Sequence, residues 1–346
     1  MDGASWPPRC DVAGALAALR DDGQGGQALA DLLCFRHLKK WTVALFAARW
    51  DTSEDTAARA LRHLHVRGLL GCLQGEARAA RGAHHGGRGA DVWFLTPYGA
   101  RVLSAHLGLA PAARVREPTV ARGQPAPTAS GIWKYKAAIP QSRTLIAHDL
   151  ACVEVALREG CFADGTTWAM RRQVRFAEPH TSEEWALVPD FAIPLRTPAR
   201  PEIAQPEERF TCYVEVEGTD ELPHIGAKHD RYAALTRALR HEREGGRIYG
   251  RAYATELWLI LVLNFAPGER KQRRTVLRRH AVAYANRRDG RNYCLAHIDL
   301  AALLAAPADR AVWELAAPID YDAERERLRA YWDRQPGDAD TGDFER

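Results

Sequence analysis

The sequence predicts an α+β protein in two parts, a small N-terminal module of helices with a two-stranded hairpin and a larger α/β domain around a mixed sheet. In residues 28–107, short segments of helical apolar periodicity precede two strand-like segments. From residue 143, amphipathic helices alternate with strand-like segments, and TELWLILVLNF is apolar enough to be buried on both faces of a sheet. The stretch between them, 108–142, is rich in Pro and Ala and predicts a linker.

Charge is distributed unevenly along the chain. Residues 28–146 carry 17 Lys or Arg against 7 Asp or Glu, whereas residues 147–346 carry 29 against 33. A basic part followed by a slightly acidic part predicts a phosphate-binding module joined to a domain of another kind.

Composition also limits the class of protein. No apolar run approaches the ~20 residues of a membrane span, and the N-terminus has no signal-peptide pattern. The seven cysteines form no C-x-x-C pair, which argues against disulfides and zinc ribbons. We therefore expect a cytoplasmic protein that contacts no membrane. The G-K pair that ends a phosphate loop occurs nowhere, so no nucleotide cofactor is expected.

The elements of the N-terminal module follow the order of a winged helix-turn-helix. ALADLLCFRHL and TVALFAARW predict two helices, and SEDTAARALRHLHVRG predicts a third, capped by Thr52 or Ser53 and ended by Gly68. GLLGCLQ and ADVWFLTP predict the strands of a wing, and PYGARVLSAHL predicts a closing helix. In such modules the third helix enters the major groove of DNA.

Basic side chains of this module predict contacts to double-stranded DNA. The third helix has an inward stripe of Ala57, Ala60, Leu61 and Leu64. The candidate DNA-binding residues lie on its other side and in the wing: Arg59, Arg62, His63, Arg78, Arg81 and Arg88. A helical protein–protein module is the alternative.

The C-terminal domain begins with the helix TLIAHDLACVEVALREG and continues with three strand candidates, TTWAMRRQVRF, WALVPDFAIPL and RFTCYVEVE. ELPHIGAKHDRYAALTRALRHER predicts a helix, TELWLILVLNF a central strand, GERKQRRTVLRRHAVAYANRR a basic helix and YCLAHID a last strand. The basic helix carries a stretch of cationic residues that are candidates for holding a displaced DNA strand: Arg270, Lys271, Arg273, Arg274, Arg278 and Arg279. A solvated helix face is the equal alternative.

Three carboxylates form a candidate metal site. Glu215 and Glu217 are two residues apart on one strand and share a face. Asp190 lies on the strand candidate WALVPDFAIPL, and if that strand pairs beside the first, the three carboxylates meet at one end of the sheet. Carboxylates packed closely raise one another's pKa unless a cation neutralises them, and oxygen ligands suit Mg²⁺ or Mn²⁺. Lys228, on the next predicted helix, could direct its ammonium group toward these carboxylates, as phosphodiester hydrolysis with a metal requires. The alternative is a solvated strand face after a Pro-Asp turn.

These motifs resemble a known family. Pro189-Asp190 and Glu215-Val216-Glu217 resemble the PD-(D/E)xK nuclease superfamily. Over about residues 28–300 the chain resembles the replication-relaxation family with its mobilisation relaxases. That resemblance includes F-R-H-L of the first helix, A-R-A-L-R-H-L-H-V-R-G-L-L, F-L-T-P-Y-G-A-R-V-L, H-D-L, and V-P-D-F through Y-V-E-V-E-G-T to K-H-D-R-Y. The resemblance implies a restriction-endonuclease-like core that nicks DNA with a metal. It implies Asp190 and Glu215 as ligands, Glu217 in the usual lysine position, and Lys228 as the migrated catalytic charge. Glu154 would be a further metal ligand from the first helix of the core, and His148 and Asp149 are the alternative candidates for that ligand.

Together these observations predict a metal-dependent DNA nickase or relaxase of a plasmid or mobile element. The predicted divisions are an N-terminal extension (1–27), a winged helix (28–107), a linker (108–142), a nuclease domain (143–318) and a charged C-terminal helix and tail (319–346). Tyr232 as a covalent nucleophile is the less favoured alternative to a packing role. Two other functions stay open: a non-catalytic initiator or repressor with a degenerate core, and a homodimeric double-strand endonuclease. The partner is double-stranded DNA, with single-stranded DNA at a nick.

Overall fold

The computed structural model describes residues 6–9, 11–36, 38, 40–73, 90–108, 143–160, 169–170, 174–177, 184–197, 208–218, 225–245, 257–266, 268–285, 293–319 and 326. The chain folds as two compact units, Met1–Gln173 and Val174–Arg346. Helices with parallel and antiparallel strands make it an α+β protein, as predicted. The predicted linker after residue 108 and nearly all of the tail lie outside the described residues, and the predicted domain boundaries stay a prediction. No described helix has the length and apolar character needed to cross a membrane.

The first unit contains helices and a small antiparallel sheet. Its elements are α1 (Val12–Arg20), α2 (Gln27–Leu33), β1 (Lys40–Trp41), α3 (Val43–Trp50), α4 (Glu54–Val66), β2 (Leu70–Leu73), β3 (Val92–Leu95), α5 (Pro97–His106), α6 (Arg143–Arg158) and β4 (Ala169–Met170). The sheet order is β1-β3-β2. The predicted helices and hairpin strands are present, whereas α1 and β1 were missed. The Asp11 side chain, which accepts a hydrogen bond from the Gly14 N–H and caps α1, was the available signal.

The third predicted helix, α4, has the expected caps. The Ser53 hydroxyl accepts a 3.3 Å hydrogen bond from the Thr56 N–H, and Gly68 has the positive φ of 74° that suits glycine after a helix. Ala57, Leu61 and Leu64 are buried, while Ala60 is only half-buried. The helix thus presents one apolar stripe to the core of the first unit.

Helix α6 packs on the sheet of the first unit. Ile146 and Leu150 contact Val92 of β3 in a buried apolar cluster. Beside it, the Lys40 ammonium of β1 binds the Asp149 carboxylate at 2.5 Å, and both side chains are buried. Apolar packing therefore fixes α6 to β3, about fifty residues earlier in the chain, and a buried ion pair fixes it to β1, about a hundred residues earlier.

The second unit has a larger mixed sheet. Its elements are β5 (Val174–Ala177), β6 (Glu184–Leu187), β7 (Phe191–Thr197), β8 (Glu208–Glu217), α7 (Ile225–Gly245), β9 (Leu257–Leu263), α8 (Arg270–Ala285), β10 (Tyr293–Asp299), α9 (Leu300–Ala305), α10 (Val312–Leu315) and β11 (Ala317–Pro318). Strands β11-β10-β9-β8-β7 lie side by side in that order. Strands β8, β9 and β10 are parallel, so α7 and α8 serve as their crossover connections.

Two of the predicted strands differ from the structure. WALVPDFAIPL is divided into β6 and β7, which belong to different sheets, with a bend at Asp190. Pro189 explains the break, because proline has no N–H for a strand ladder. TTWAMRRQVRF is described only as the short strands β4 and β5. The central strand is confirmed: β9 lies between β8 and β10, and six of its seven residues are buried.

Candidate functional site

Strand β8 carries an acidic face that is buried. Tyr213, Glu215 and Glu217 alternate with apolar residues that face the opposite side of the sheet. Only 5% of Glu215 and 7% of Glu217 is exposed. The alternative of a solvated strand face is therefore wrong, and carboxylates buried to this depth need hydrogen-bonding or charged partners.

Lys228 of α7 supplies one such partner. Its Nζ donates hydrogen bonds to Glu215 Oε2 at 3.2 Å and to Glu217 Oε1 at 2.6 Å. The lysine side chain remains 27% exposed, more than the side chains of Glu215 and Glu217, at 6% and 9%. The predicted approach of Lys228 from the following helix is present in the structure.

Tyr232 lies one helical turn after Lys228 and contacts the same carboxylate. Its hydroxyl donates a 2.6 Å hydrogen bond to Glu215 Oε1, and its buried ring packs on Tyr213. Burial and the adjacent Glu215 carboxylate raise the pKa of Tyr232 well above its usual value. A buried, protonated hydroxyl is a poor nucleophile, so these contacts favour a packing and supporting role.

Asp190 completes the group from the neighbouring strand. The β7–β8 ladder ends with Phe191 opposite Val214, and beyond it Asp190 Oδ2 accepts a 2.9 Å hydrogen bond from the Val216 N–H. This N–H lies between the two glutamates in sequence, and the Asp190 charge contributes to the raised pKa of Glu215. Asp190, Glu215, Glu217 and Lys228 thus form one cluster, which we call the acidic cluster.

The carboxylates of the acidic cluster differ in their electrostatics. Burial raises the pKa of Glu215 to about 7 against the attraction of Lys228, and Asp190 and Glu217 raise it further. Burial also acts to raise the pKa of Glu217, but Lys228 and His280 together hold it at about 2. Burial disfavours the charged form of Lys228, yet Glu215 and Glu217 raise the pKa of Lys228 above its usual range. With all four groups ionised, three carboxylates and one ammonium carry a formal charge of −2.

A chain of buried side chains continues behind Glu217. His280 Nε2 of α8 lies 3.5 Å from Glu217 Oε1, and His280 Nδ1 lies 2.9 Å from His229 Nε2. His229 Nδ1 lies 2.6 Å from the Tyr293 hydroxyl. Burial lowers the pKa of His280, which favours its neutral form. One consistent pattern has Tyr293 donating to His229, His229 to His280, and the His280 Nε2–H pointing at the Glu217 carboxylate.

The sequence did not identify this histidine chain. Its members come from α7, α8 and β10, and no spacing along the sequence relates them. The available signal was weak: His229 and His280 occupy apolar-facing positions of helices, where a satisfied core histidine is the ordinary case.

The candidates on α6 lie in the first unit. Asp149 binds Lys40 there, and His148 Nδ1 is 3.7 Å from Asp149 Oδ1. Glu154 is buried on the same helix, with 7% of its surface exposed. The Lys40 contact explains Asp149 as part of the fold, and a metal-binding role for Glu154 or His148 stays a prediction.

The candidate DNA-binding residues are only partly described. Arg59, Arg62 and His63 are exposed on α4, on the side away from its apolar stripe. Arg78, Arg81 and Arg88 lie outside the described residues. On α8, Arg273 Nε binds Asp299 Oδ1 at 2.6 Å, whereas Arg274 lines an open surface depression. Arg273 and Arg274 thus have different surroundings.

Comparison with known protein families places the chain in a family. The model of the replication-relaxation family matches residues 29–249. The match includes the whole acidic cluster and ends before His280 and Tyr293. No curated protein and no solved structure matches the chain.

Proposed function

Because the chain belongs to the replication-relaxation family, we propose that it is a metal-dependent DNA nickase. Membership of this family indicates a role in the replication or transfer of a plasmid or other mobile element. The acidic cluster would cut one strand, and the N-terminal module would bind the duplex as a winged helix.

The observation that carries the proposal is the position of Lys228 between Glu215 and Glu217, with Asp190 adjoining them from the next strand. The PD-(D/E)xK resemblance implies this arrangement, in which one carboxylate precedes a strand, a second lies on the antiparallel neighbouring strand, and a lysine lies at the same end of the two strands. The strand order supports it, since β7 and β8 are antiparallel and α7 connects β8 to the parallel β9.

The donor chemistry of the three carboxylates suits a hard divalent cation. Their donor atoms are carboxylate oxygens, and with Lys228 their formal charge is −2, which Mg²⁺ or Mn²⁺ would neutralise. When bound, such an ion activates water and offsets charge on the phosphate. Asp190, Glu215 and Glu217 would hold it. Lys228 would place its ammonium beside the phosphate, where negative charge increases in the transition state.

The first unit supports binding to duplex DNA. Within it, the order α2-β1-α3-α4-β2-β3-α5 with a three-stranded sheet agrees with the order expected of a winged helix, which supports the proposal. The exposed Arg59, Arg62 and His63 of α4 would face the major groove.

A non-catalytic initiator or repressor is the second candidate, and one observation favours it. Both oxygens of Glu215 already accept hydrogen bonds, from Lys228 and from Tyr232. A metal ligand at this position would have to exchange one of these bonds for the ion. A double-strand endonuclease is the third candidate and would act as a homodimer.

The deciding experiment is a nicking assay on supercoiled plasmid that carries the DNA flanking the protein's own gene, with Mg²⁺ or Mn²⁺. Wild type is compared with Asp190→Asn and Glu215→Gln, and with Asp309→Asn as a matched exposed control. Open circles from wild type and the control alone would support nicking, and linear product would indicate the double-strand endonuclease. Retention of this DNA without any cleavage would refute the nickase and favour the initiator.

A further inference from the structure

The first turns of α8 carry an unusual excess of positive charge. The helix begins Arg270-Lys271-Gln272-Arg273-Arg274, and its first turn has no acidic residue. Basic side chains at a helix N-terminus oppose the helix dipole, so this composition disfavours the helix locally. Where a local preference is violated in this way, a function is the usual explanation.

The basic residues of α8 divide into two groups. Arg273 forms a two-point contact with Asp299 of β10, with Nε–Oδ1 at 2.6 Å and Nη2–Oδ2 at 3.0 Å. This contact ties the helix to the sheet and explains Arg273 as a structural residue. Another set lines one open depression of about 470 Å³: Arg270, Lys271, Arg274, Thr275 and Arg278.

The spacing of this second group suits a chain of phosphates. Arg270, Arg274 and Arg278 recur every fourth residue and therefore form a row along one side of the helix. Successive members are about 6 Å apart along the axis. That distance is comparable to the separation of neighbouring phosphates in an extended nucleic-acid strand. Guanidinium groups also match phosphate geometry, because they can donate two parallel hydrogen bonds.

We propose that the surface formed by Arg270, Lys271, Arg274 and Arg278, which we call the α8 basic face, binds the phosphate backbone of single-stranded DNA. A single row of cations follows one strand. The same helix, α8, also carries His280, whose Nε2 lies 3.5 Å from Glu217 Oε1, so the helix that bears the basic face contacts the acidic cluster. The choice of DNA as the polyanion rests on the proposed function.

The test measures DNA binding without cleavage. Full-length Asp190→Asn protein in EDTA is titrated onto a fluorescent single-stranded oligonucleotide at several salt concentrations. Adding Arg270→Gln, Arg274→Gln and Arg278→Gln should weaken binding at least about tenfold at low salt. The slope of log K against log salt should fall by about 2, since each single-strand phosphate contact contributes roughly 0.7.

A matched control removes three charges elsewhere in the second unit: Arg231→Gln, Arg279→Gln and Arg310→Gln. Arg279 is exposed on α8 but away from the row. The control should change the slope little. Equal losses in the two triple variants, loss of duplex binding with single-strand binding intact, or loss of binding to anionic lipid vesicles alone would each overturn the proposal. A protein that nicks no DNA would refute the proposed function but leave this binding test interpretable.

Discussion

The buried Lys40–Asp149 pair of the first unit and the acidic cluster of the second unit differ in their balance of charge. In the first unit, Lys40 and Asp149 are 1% and 7% exposed, and one cation meets one anion. In the second unit, the acidic cluster sets three carboxylates against the single ammonium of Lys228. A balanced pair holds elements together and needs no further partner. An excess of buried negative charge disfavours folding and is retained where a cation or a reaction uses it.

The largest effect is expected from breaking the balanced pair. Lys40→Met keeps the length of the side chain but removes the ammonium that Asp149 binds in the interior. We expect the free energy of unfolding to fall by about 3–5 kcal/mol, measured by denaturant titration. Lys271→Met, at an exposed lysine, is the control. A loss below about 1 kcal/mol would show that the pair does not hold α6 in place.

Removing the cation of the acidic cluster should have a smaller effect. In Lys228→Met, Glu215 can take up a proton because its pKa is already about 7, which limits the repulsion with Glu217. We expect the free energy of unfolding to fall by an amount on the order of 1–3 kcal/mol at neutral pH. Most of this loss should disappear when Lys228→Met is introduced into the Glu215→Gln variant instead of wild type. A loss equal to that of Lys40→Met, and unchanged by Glu215→Gln, would contradict the comparison.

The pH dependence of stability should distinguish the two glutamates. The pKa of Glu215 is raised from 4.5 to about 7, so its favourable contribution is present below pH 4.5 and is lost as the pH rises toward 7. The pKa of Glu217 is lowered to about 2, so its contribution is present above pH 4.5 and is lost as the pH falls toward 2. Between pH 5 and pH 8, wild type should therefore lose roughly 2 kcal/mol relative to Glu215→Gln.

Thermal melts of both proteins across this range, without metal, would measure that difference. Glu184→Gln, at an exposed glutamate of β6, should run parallel to wild type. A constant difference between wild type and Glu215→Gln would mean that Glu215 titrates normally.

The smallest effect is expected at the far end of the histidine chain. Tyr293→Phe removes only the hydroxyl that contacts His229 Nδ1 at 2.6 Å. We expect a loss of about 1 kcal/mol in the free energy of unfolding, the usual contribution of one hydrogen bond. Chemical denaturation would measure it, and an unchanged midpoint would show that the hydroxyl does not orient His229.

The sequence predicted those parts of the molecule that depend on local pattern. The period of two in Y-V-E-V-E placed Glu215 and Glu217 on one face, and the helical period placed Lys228 and Tyr232 together. The continuous apolar run of β9 placed that strand inside the sheet. Capping chemistry correctly located both ends of α4.

Features that depend on long-range packing were not predictable in this way. Lys40 and Asp149 are 109 residues apart, and the sequence around either residue gives no sign that the two are in contact. The depth of Glu215 and Glu217 depends on α7 and α8 covering β8, which an alternating pattern does not distinguish from a solvated face. The His229–His280 contact likewise follows from the packing of α7 on α8.

The central claim is that the unbalanced cluster binds a divalent cation, and a Mn²⁺ titration followed by electron paramagnetic resonance tests it directly. Wild type and Lys40→Met, if folded, should each bind one ion, and Asp190→Asn should weaken binding at least about tenfold. Asp309→Asn should match wild type. If wild type binds no Mn²⁺, or if Asp190→Asn binds it as well as wild type does, the acidic cluster is not a metal site.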